Sequence, residues 1–108
     1  MAKPVIAIDF DHTIRDNKVD APMDGVREAL DRFRERGWKI LIHSANKKAF
    51  IEQWCEEHNI PYHWIWDQPG KPEFVTCFVD DRAIQFRGDW EQTTADVLAF
   101  VEARPIRH

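Results

Sequence analysis

The chain has 108 residues, of which 44% are hydrophobic, so it is long enough for one compact core and too short for two ordinary domains. The 19 acidic and 15 basic residues are interleaved and give a formal charge of -4, which does not indicate binding to a nucleic-acid backbone through bulk charge. The apolar run of residues 5 to 8 is too short for a signal peptide, and no later run reaches a membrane helix. We therefore predict a single cytoplasmic domain over residues 1 to 108, without a membrane partner.

The first half of the chain alternates between strand and helix patterns. Residues 5 to 10 are an apolar, β-branched run that ends in charge, which predicts a buried parallel strand, and the polar residues 11 to 22 predict a loop. Apolar positions at helical spacing predict an amphipathic helix over residues 24 to 36. Residues 38 to 43 predict a second strand, and residues 48 to 58 predict a second helix with one apolar face.

Short strands precede the last helix in the second half. Residues 62 to 66 and 74 to 79 predict two strands, separated by the loop of residues 67 to 72, which contains prolines and a glycine. Residues 83 to 86 predict a short edge strand, and the capping-box spacing at Asp89 predicts the start of the last helix. This order of elements predicts an α/β fold with a mostly parallel sheet that is covered on both faces.

The two cysteines and the tryptophans offer structural rather than catalytic interpretations. Cys55 and Cys77 lie in apolar segments without C-x-x-C spacing, so we predict two buried free thiols rather than a disulfide or a metal pair. Five tryptophans in a chain of this length indicate either a filled small core or an interface. Trp64 and Trp66 share a face if that segment is extended.

Three of the predicted strands end in polar side chains. Asp9 and Asp11 end the first strand, Ser44 follows the second, and Asp80 and Asp81 follow the fourth. Each of these alone is typical of a helix cap or a solvated turn. Because the carboxyl ends of parallel strands lie along one edge of a sheet, we expect all three groups to meet in one crevice.

The sequence resembles the haloacid dehalogenase-like (HAD) phosphatases in four motifs. The first is residues 9 to 13 (Asp-Phe-Asp-His-Thr), the second is residues 42 to 46, the third is Lys71 with Pro72, and the fourth is residues 78 to 81. The first and fourth motifs are the specific ones. The resemblance implies a Rossmann-like three-layer α/β/α fold, in which the strand of the first motif is central and is flanked by the strands of the second and fourth motifs.

The acidic residues of these motifs predict a magnesium site. A carboxylate that attacks a phosphoryl group is repelled by it unless a divalent cation neutralises both, and Mg²⁺ prefers oxygen ligands from one or two carboxylates. Asp9 and Asp80 provide such ligands, and the resemblance adds the backbone carbonyl of Asp11. Asp81 replaces Asp80 or binds through water.

Asp9 and Asp11 have different predicted roles in catalysis. Asp9 attacks phosphorus and forms an aspartyl-phosphate, which divides one difficult displacement into two easier steps. Asp11 protonates the leaving oxygen and later deprotonates the attacking water. We expect like-charge repulsion from Asp9 to keep Asp11 partly protonated, against the effect of the metal.

The remaining motif residues have supporting roles. Ser44, with the backbone N–H groups of Ala45 and Asn46, is expected to hold the phosphoryl oxygens. Thr13 is expected to form a hydrogen bond that fixes the loop or Asp9. His12 stands where the family often has glycine, so its side chain is expected at the mouth of the site.

Lys71 is predicted to offset the charge of the transition state and of the nucleophile. The run from Lys71 to Asp80 is too short to include a helix, which leaves Lys47 or Lys48 as an alternative source of this cation. Lys71 is preferred because its loop should lie at the same edge of the sheet.

The site is predicted to be open, because the segments 14 to 23 and 67 to 73 are both too short for the cap domain that most HAD enzymes carry. An open site implies a large substrate, such as a phosphoprotein or a nucleic-acid end, or a small one that a second subunit of a homo-oligomer covers. The predicted function is a Mg²⁺-dependent phosphatase acting on a phosphate monoester. The alternatives are a phosphotransferase or mutase with the same intermediate, and a non-catalytic phosphate-binding module.

Overall fold

A computed structural model of the protein describes residues 3 to 103. The strands are β1 (Val5–Asp9), β2 (Arg15–Asp16), β3 (Ala21–Pro22), β4 (Lys39–His43), β5 (Trp64–Trp66) and β6 (Cys77–Val79). The helices are α1 (Val26–Glu35), α2 (Lys48–His58) and α3 (Trp90–Glu102). None of the described helices is long and apolar enough to cross a bilayer.

The main sheet has four parallel strands in the order β5-β4-β1-β6. Strand β1 pairs along its whole length with β4, from Val5 opposite Lys39 to Asp9 opposite His43, and it pairs with β6 on its other side. Helices flank the sheet, in agreement with a Rossmann-like three-layer arrangement. The predicted α/β class, the parallel sheet and the central position of the first strand are confirmed.

The side chains of β1 explain why this strand is central. All five are buried, as expected for a parallel strand that is covered on both faces. On one face, Ile8 and Ile42 pack in a cluster with Leu30 of α1 and Trp54 of α2. On the other face Ala7 belongs to a smaller buried cluster. Burial of each such large apolar side chain contributes roughly 1.5–3 kcal/mol.

The segment of residues 11 to 22 is not only a loop, as the sequence predicted, because β2 and β3 form a short antiparallel pair within it. The chain turns sharply after β1 at His12, which has a positive φ of 64°. It turns again at Asp20, where φ is 52°. Ile14 lies between these turns and is fully buried, so a core contact fixes the pair to the domain.

Several predicted boundaries are wrong for local reasons. Helix α1 begins at Val26, not at residue 24, because Gly25 has a φ of 83°, which a helix cannot contain. The strands predicted over residues 62 to 66 and 74 to 79 are reduced to three residues each. The predicted edge strand over residues 83 to 86 is absent from the described part of the chain, since β6 itself is the edge of the sheet.

The last helix starts where the capping pattern predicted. The Asp89 carboxylate accepts hydrogen bonds from the backbone N–H groups of Glu91 and Gln92, at 3.0 and 3.3 Å. The Gln92 side chain donates to Asp96 and not to the cap, so only half of the capping box forms. Beyond this cap, α3 exposes Trp90 and Val101 at 72% and 63%.

The cysteines and tryptophans divide between core and surface. Cys55 is buried as predicted, but Cys77 is exposed, because every side chain of the edge strand β6 is exposed. Trp54 is 3% exposed and fills the core. Trp64 and Trp66, on one face of β5, both contact the ring of Phe74, with centroid distances of 6.1 and 5.9 Å.

Candidate active site

The carboxyl edge of the sheet carries a cavity of about 660 Å³. Asp9 is the last residue of β1, Ser44 follows β4, and Asp80 follows β6. All three line this cavity, together with Lys71. The structure therefore brings together the three polar strand ends that the sequence placed in one crevice.

A second cavity of about 430 Å³ adjoins the first and shares Asp9 and Ser44 with it. Its lining also includes Asp11 and the exposed side chain of His12. Asp9 thus borders both spaces, of which the larger carries most of the basic side chains and the smaller carries Asp11.

The side chains of Asp9, Asp80 and Asp81 form a tight acidic cluster. Each offers one oxygen atom, and these atoms lie within 4.8 Å of one another. Asp9 is only 8% exposed. Burial, followed by the charges of Asp80 and Asp81, raises the pKa of Asp9 to about 6. Mg²⁺ usually takes one or two carboxylate ligands, so Asp9 and Asp80 would suffice, with Asp81 bound through water, and a bound cation would offset the repulsion among the three.

The side chain of Asp11 accepts four hydrogen bonds. Asn17 Nδ2 and Arg15 Nη1 donate to its Oδ1 atom at 3.0 and 3.3 Å. Ser44 Oγ and Asn46 Nδ2 donate to its Oδ2 atom, both at 3.4 Å. At Asp9, like-charge repulsion comes from Asp80 and Asp81.

Arg15 connects Asp11 to the hydrophobic core. Its Nε atom donates to Asp20 Oδ1 at 2.8 Å, and the same carboxylate oxygen accepts a hydrogen bond from Trp54 Nε1 at 3.0 Å. These two donors hold the pKa of Asp20 below its ordinary value. This network was not predicted from the sequence. Its one sequence signal was the spacing of four residues between Asp11 and Arg15, which form an ion pair.

Ser44 is not the N-cap of the following helix, because Lys47 occupies that position in α2. The Ser44 Oγ atom accepts a hydrogen bond from the backbone N–H of Asn46 at 3.0 Å and donates to Asp11. Ala45 and Asn46 line both cavities. The loop residues therefore border the space beside Asp9, but the Asn46 backbone N–H that was predicted to bind phosphate is already donated to Ser44 Oγ.

The structure also tests the expectations for Thr13 and His12 of the first motif. Thr13 Oγ1 is buried and has no hydrogen-bond partner in the described part of the chain, so the predicted bond to the loop or to Asp9 does not form. His12 occupies a left-handed backbone conformation, which glycine adopts without strain. The Asn17 side chain stabilises this turn by accepting a hydrogen bond from the His12 N–H at 2.9 Å.

The three candidate lysines all lie around the larger cavity. Lys71 lines it, as do Lys47 and Lys48. The Lys71 Nζ atom is 5.3 Å from the centre of the Phe78 ring, within the range of a cation–π contact.

His43, which the sequence did not single out as a site residue, lies opposite Asp9 in the sheet register and lines the same cavity. Its Nε2 atom is buried without a hydrogen-bond partner in the described residues. Burial lowers the pKa of His43, opposed by the charge of Asp80. The ring, which packs edge-to-face on Phe78 at 5.5 Å, is therefore favoured in its neutral form.

Comparison with known proteins supports the fold. No protein-family model matches the chain, and no curated protein sequence matches it. A solved structure of a conserved protein from Bacteroides thetaiotaomicron is similar, with a TM-score of 0.58 and 16% sequence identity over 97% of this chain and 100% of that one. At this identity the similarity shows a shared α/β fold.

Proposed function

We propose that the protein is a Mg²⁺-dependent phosphatase that hydrolyses a phosphate monoester through an aspartyl-phosphate on Asp9. The observation that carries this proposal is the position of the Asp9 carboxylate. It is nearly buried at the end of the central strand, its oxygen lies within 4.8 Å of oxygens of Asp80 and Asp81, and it borders two cavities.

The environment of Asp9 suits a nucleophile that works beside a cation. Without a cation, burial and the neighbouring carboxylates raise the pKa of Asp9 to about 6, so as pH falls toward that value a growing fraction is protonated and cannot attack phosphorus. A bound Mg²⁺ would supply the positive charge that keeps Asp9 ionised and reduces its repulsion from the phosphate. Asp80 and Asp81 would hold the cation together with Asp9. The Asp11 side chain accepts hydrogen bonds from other residues, so Asp11 would bind the cation through its backbone carbonyl.

Asp11 would move a proton in both halves of the reaction. As an Asp9 oxygen forms its bond to phosphorus, the bond from phosphorus to the leaving oxygen breaks and that oxygen takes a proton from Asp11. Water then gives a proton to Asp11 and attacks phosphorus, which releases inorganic phosphate and restores Asp9. The donors on Asp11 fix its orientation and leave its carboxylate at the wall of the second cavity.

The groups that would hold the transferred phosphoryl come from two segments. The Ser44 hydroxyl and the backbone N–H of Ala45 lie on the loop after β4, and Lys71 lies on the loop between β5 and β6. Donors fixed in advance at the positions where charge develops stabilise the transition state.

The experiment that tests this proposal measures Mg²⁺-dependent release of 4-nitrophenol from 4-nitrophenyl phosphate. We expect Asp9→Asn to abolish turnover. The control Asp24→Asn, at an exposed position outside the acidic cluster, should leave turnover intact. Full activity of Asp9→Asn would exclude Asp9 as the nucleophile. Binding of beryllofluoride with Mg²⁺ but without turnover would indicate a phosphate-binding module, and slow release of a stable phosphoenzyme would indicate a phosphotransferase.

A further inference from the structure

Basic side chains surround the larger cavity from three segments of the chain. Lys47 and Lys48 start α2, Lys71 lies between β5 and β6, and Arg82 follows β6. Arg82 has the Asp81 carboxylate 3.7 Å away. Within residues 3 to 103, no ion pair joins any of the three lysines to a carboxylate. The lysines therefore leave positive charge available at the cavity wall.

Lys47 and Lys48 occupy positions that are electrostatically unfavourable for lysine. The N-terminus of a helix carries partial positive charge and usually attracts acidic residues. Helix α2 has no acidic residue in its first turn and no side-chain cap, whereas α3 starts with the Asp89 cap and has Glu91 in its first turn. Local rules broken without structural compensation are expected at functional sites, and an anion in the cavity would relieve this repulsion.

The proposed function assigns Lys71 to the scissile phosphate at Asp9, which leaves Lys47 and Lys48 without a role in it. The cavity, at about 660 Å³, is within the usual range of about 300–1,000 Å³ for small-molecule sites, so it has room for much more than one phosphate. Lys47 and Lys48 thus border space that the scissile phosphate leaves free.

We propose that the substrate is a phosphate monoester that carries a second phosphate group, and that Lys47 and Lys48 bind this second group while the scissile phosphate lies at Asp9. The inference rests on the proposed phosphatase function and specifies its substrate class. The second phosphate is recognised by charge, because lysine binds phosphate as a point charge without fixed bidentate geometry.

The test compares substrates that differ only in the second phosphate. Propane-1,3-diol bisphosphate and n-propyl phosphate have similar leaving groups, so the ratio of their kcat/KM values reports the second phosphate. We expect a preference of at least tenfold for the bisphosphate, which decreases as ionic strength rises. A 5′-phosphorylated dinucleotide carries its second charge as a phosphodiester. If its kcat/KM is raised over that of n-propyl phosphate as much as the bisphosphate's, the source is a nucleic-acid end; if not, it is a small bisphosphate.

The variant Lys47→Gln/Lys48→Gln should reduce the preference for the bisphosphate at least tenfold. Lys18→Gln/Arg32→Gln removes the same charge at exposed positions that do not line the cavity, and it should keep the wild-type ratio. A preference that survives in the Lys47→Gln/Lys48→Gln protein would overturn the assignment of these lysines. Equal kcat/KM values for the two propyl substrates in the wild type would overturn the whole inference.

Binding separates this inference from the proposed function. Calorimetry with propane-1,3-bisphosphonate and propylphosphonate, neither of which can be hydrolysed, should show at least tenfold tighter binding of the bisphosphonate in Mg²⁺. Tighter binding with no turnover of any phosphate ester would support the second phosphate site and reject the phosphatase. Turnover of phosphate esters with equal binding of both phosphonates would support the phosphatase and reject the second phosphate site.

Discussion

The Ser44 hydroxyl donates a hydrogen bond to the Asp11 carboxylate at 3.4 Å, which joins the ends of β4 and β1 at the candidate site. The hydroxyl has one proton, which donates to Asp11 here and would turn to the phosphate when substrate binds, so its loss removes both interactions. We expect Ser44→Ala to lower kcat/KM for 4-nitrophenyl phosphate about 10- to 100-fold, since hydrogen bonds to charged groups contribute roughly 1.5–3 kcal/mol. Ser44→Thr keeps the hydroxyl and should retain most activity; if both variants were equally impaired, the hydroxyl would not be the group that matters.

Replacement of Asp11 should separate the two steps of the reaction. The 4-nitrophenolate leaving group needs no proton, whereas hydrolysis of the aspartyl-phosphate needs a base to activate water. We therefore expect Asp11→Asn to release a rapid burst of about one 4-nitrophenol per enzyme and then to turn over about 10²–10⁴-fold more slowly than the wild type. Stopped-flow absorbance measures both phases, and a slow first turnover without a burst would contradict this division of roles.

The raised pKa of Asp9 predicts that stability depends on pH in the absence of metal. The pKa is about 6 in the folded protein and 3.8 ordinarily, so the folded state binds this proton more tightly than the unfolded state. The resulting stability is fully present below about pH 4 and is lost as pH rises through about 6. The loss is on the order of 3 kcal/mol for a shift of this size.

Asp9→Asn removes this buried charge, and in EDTA above pH 6 it should be more stable than the wild type. Urea unfolding between pH 4 and pH 8 measures the difference, which should disappear toward pH 4. Mg²⁺ should stabilise the wild type by about 2.7 kcal/mol at 100 times its dissociation constant, and it should stabilise Asp9→Asn much less. A difference in stability that does not change with pH would show that Asp9 is not the titrating group.

The two thiols should differ strongly in reactivity. Burial raises the pKa of Cys55 to about 12, and this side chain is 1% exposed, while Cys77 is exposed on β6. A thiolate-specific reagent such as 5,5′-dithiobis(2-nitrobenzoate) should label one thiol rapidly in the native protein and the second only on unfolding. Cys77→Ser should remove the rapid phase, and a rapid phase that remained would place Cys55 within reach of solvent.

The elements that the sequence predicted well are those that burial determines. Strand β1 and helix α2 have apolar patterns that match their buried positions, and the meeting of Asp9 with Asp80 follows from parallel strand order alone. The pairing of β2 with β3 depends on backbone turns at His12 and Asp20, which an apolar pattern does not report.

Other features depended on tertiary context that the sequence does not encode locally. The apolar pattern of β6 predicted buried side chains, but no strand pairs with its outer edge in the described part of the chain, so Cys77 is exposed. The orientation of the Asp11 side chain is set by Asn17, Arg15 and the loop after β4, a combination of donors from separate segments.

The acidic cluster is divided between the most and the least protected strands of the sheet. Asp9 ends the fully buried β1, whereas Asp80 and Asp81 follow β6, which contacts the sheet through three residue pairs and exposes all its side chains. Edge segments of this kind open locally at a much lower free energy than a core strand. Fluctuations of β6 would therefore disperse the cluster while the core stays folded, and a cation that binds all three carboxylates would slow amide hydrogen exchange in β6 far more than in β1.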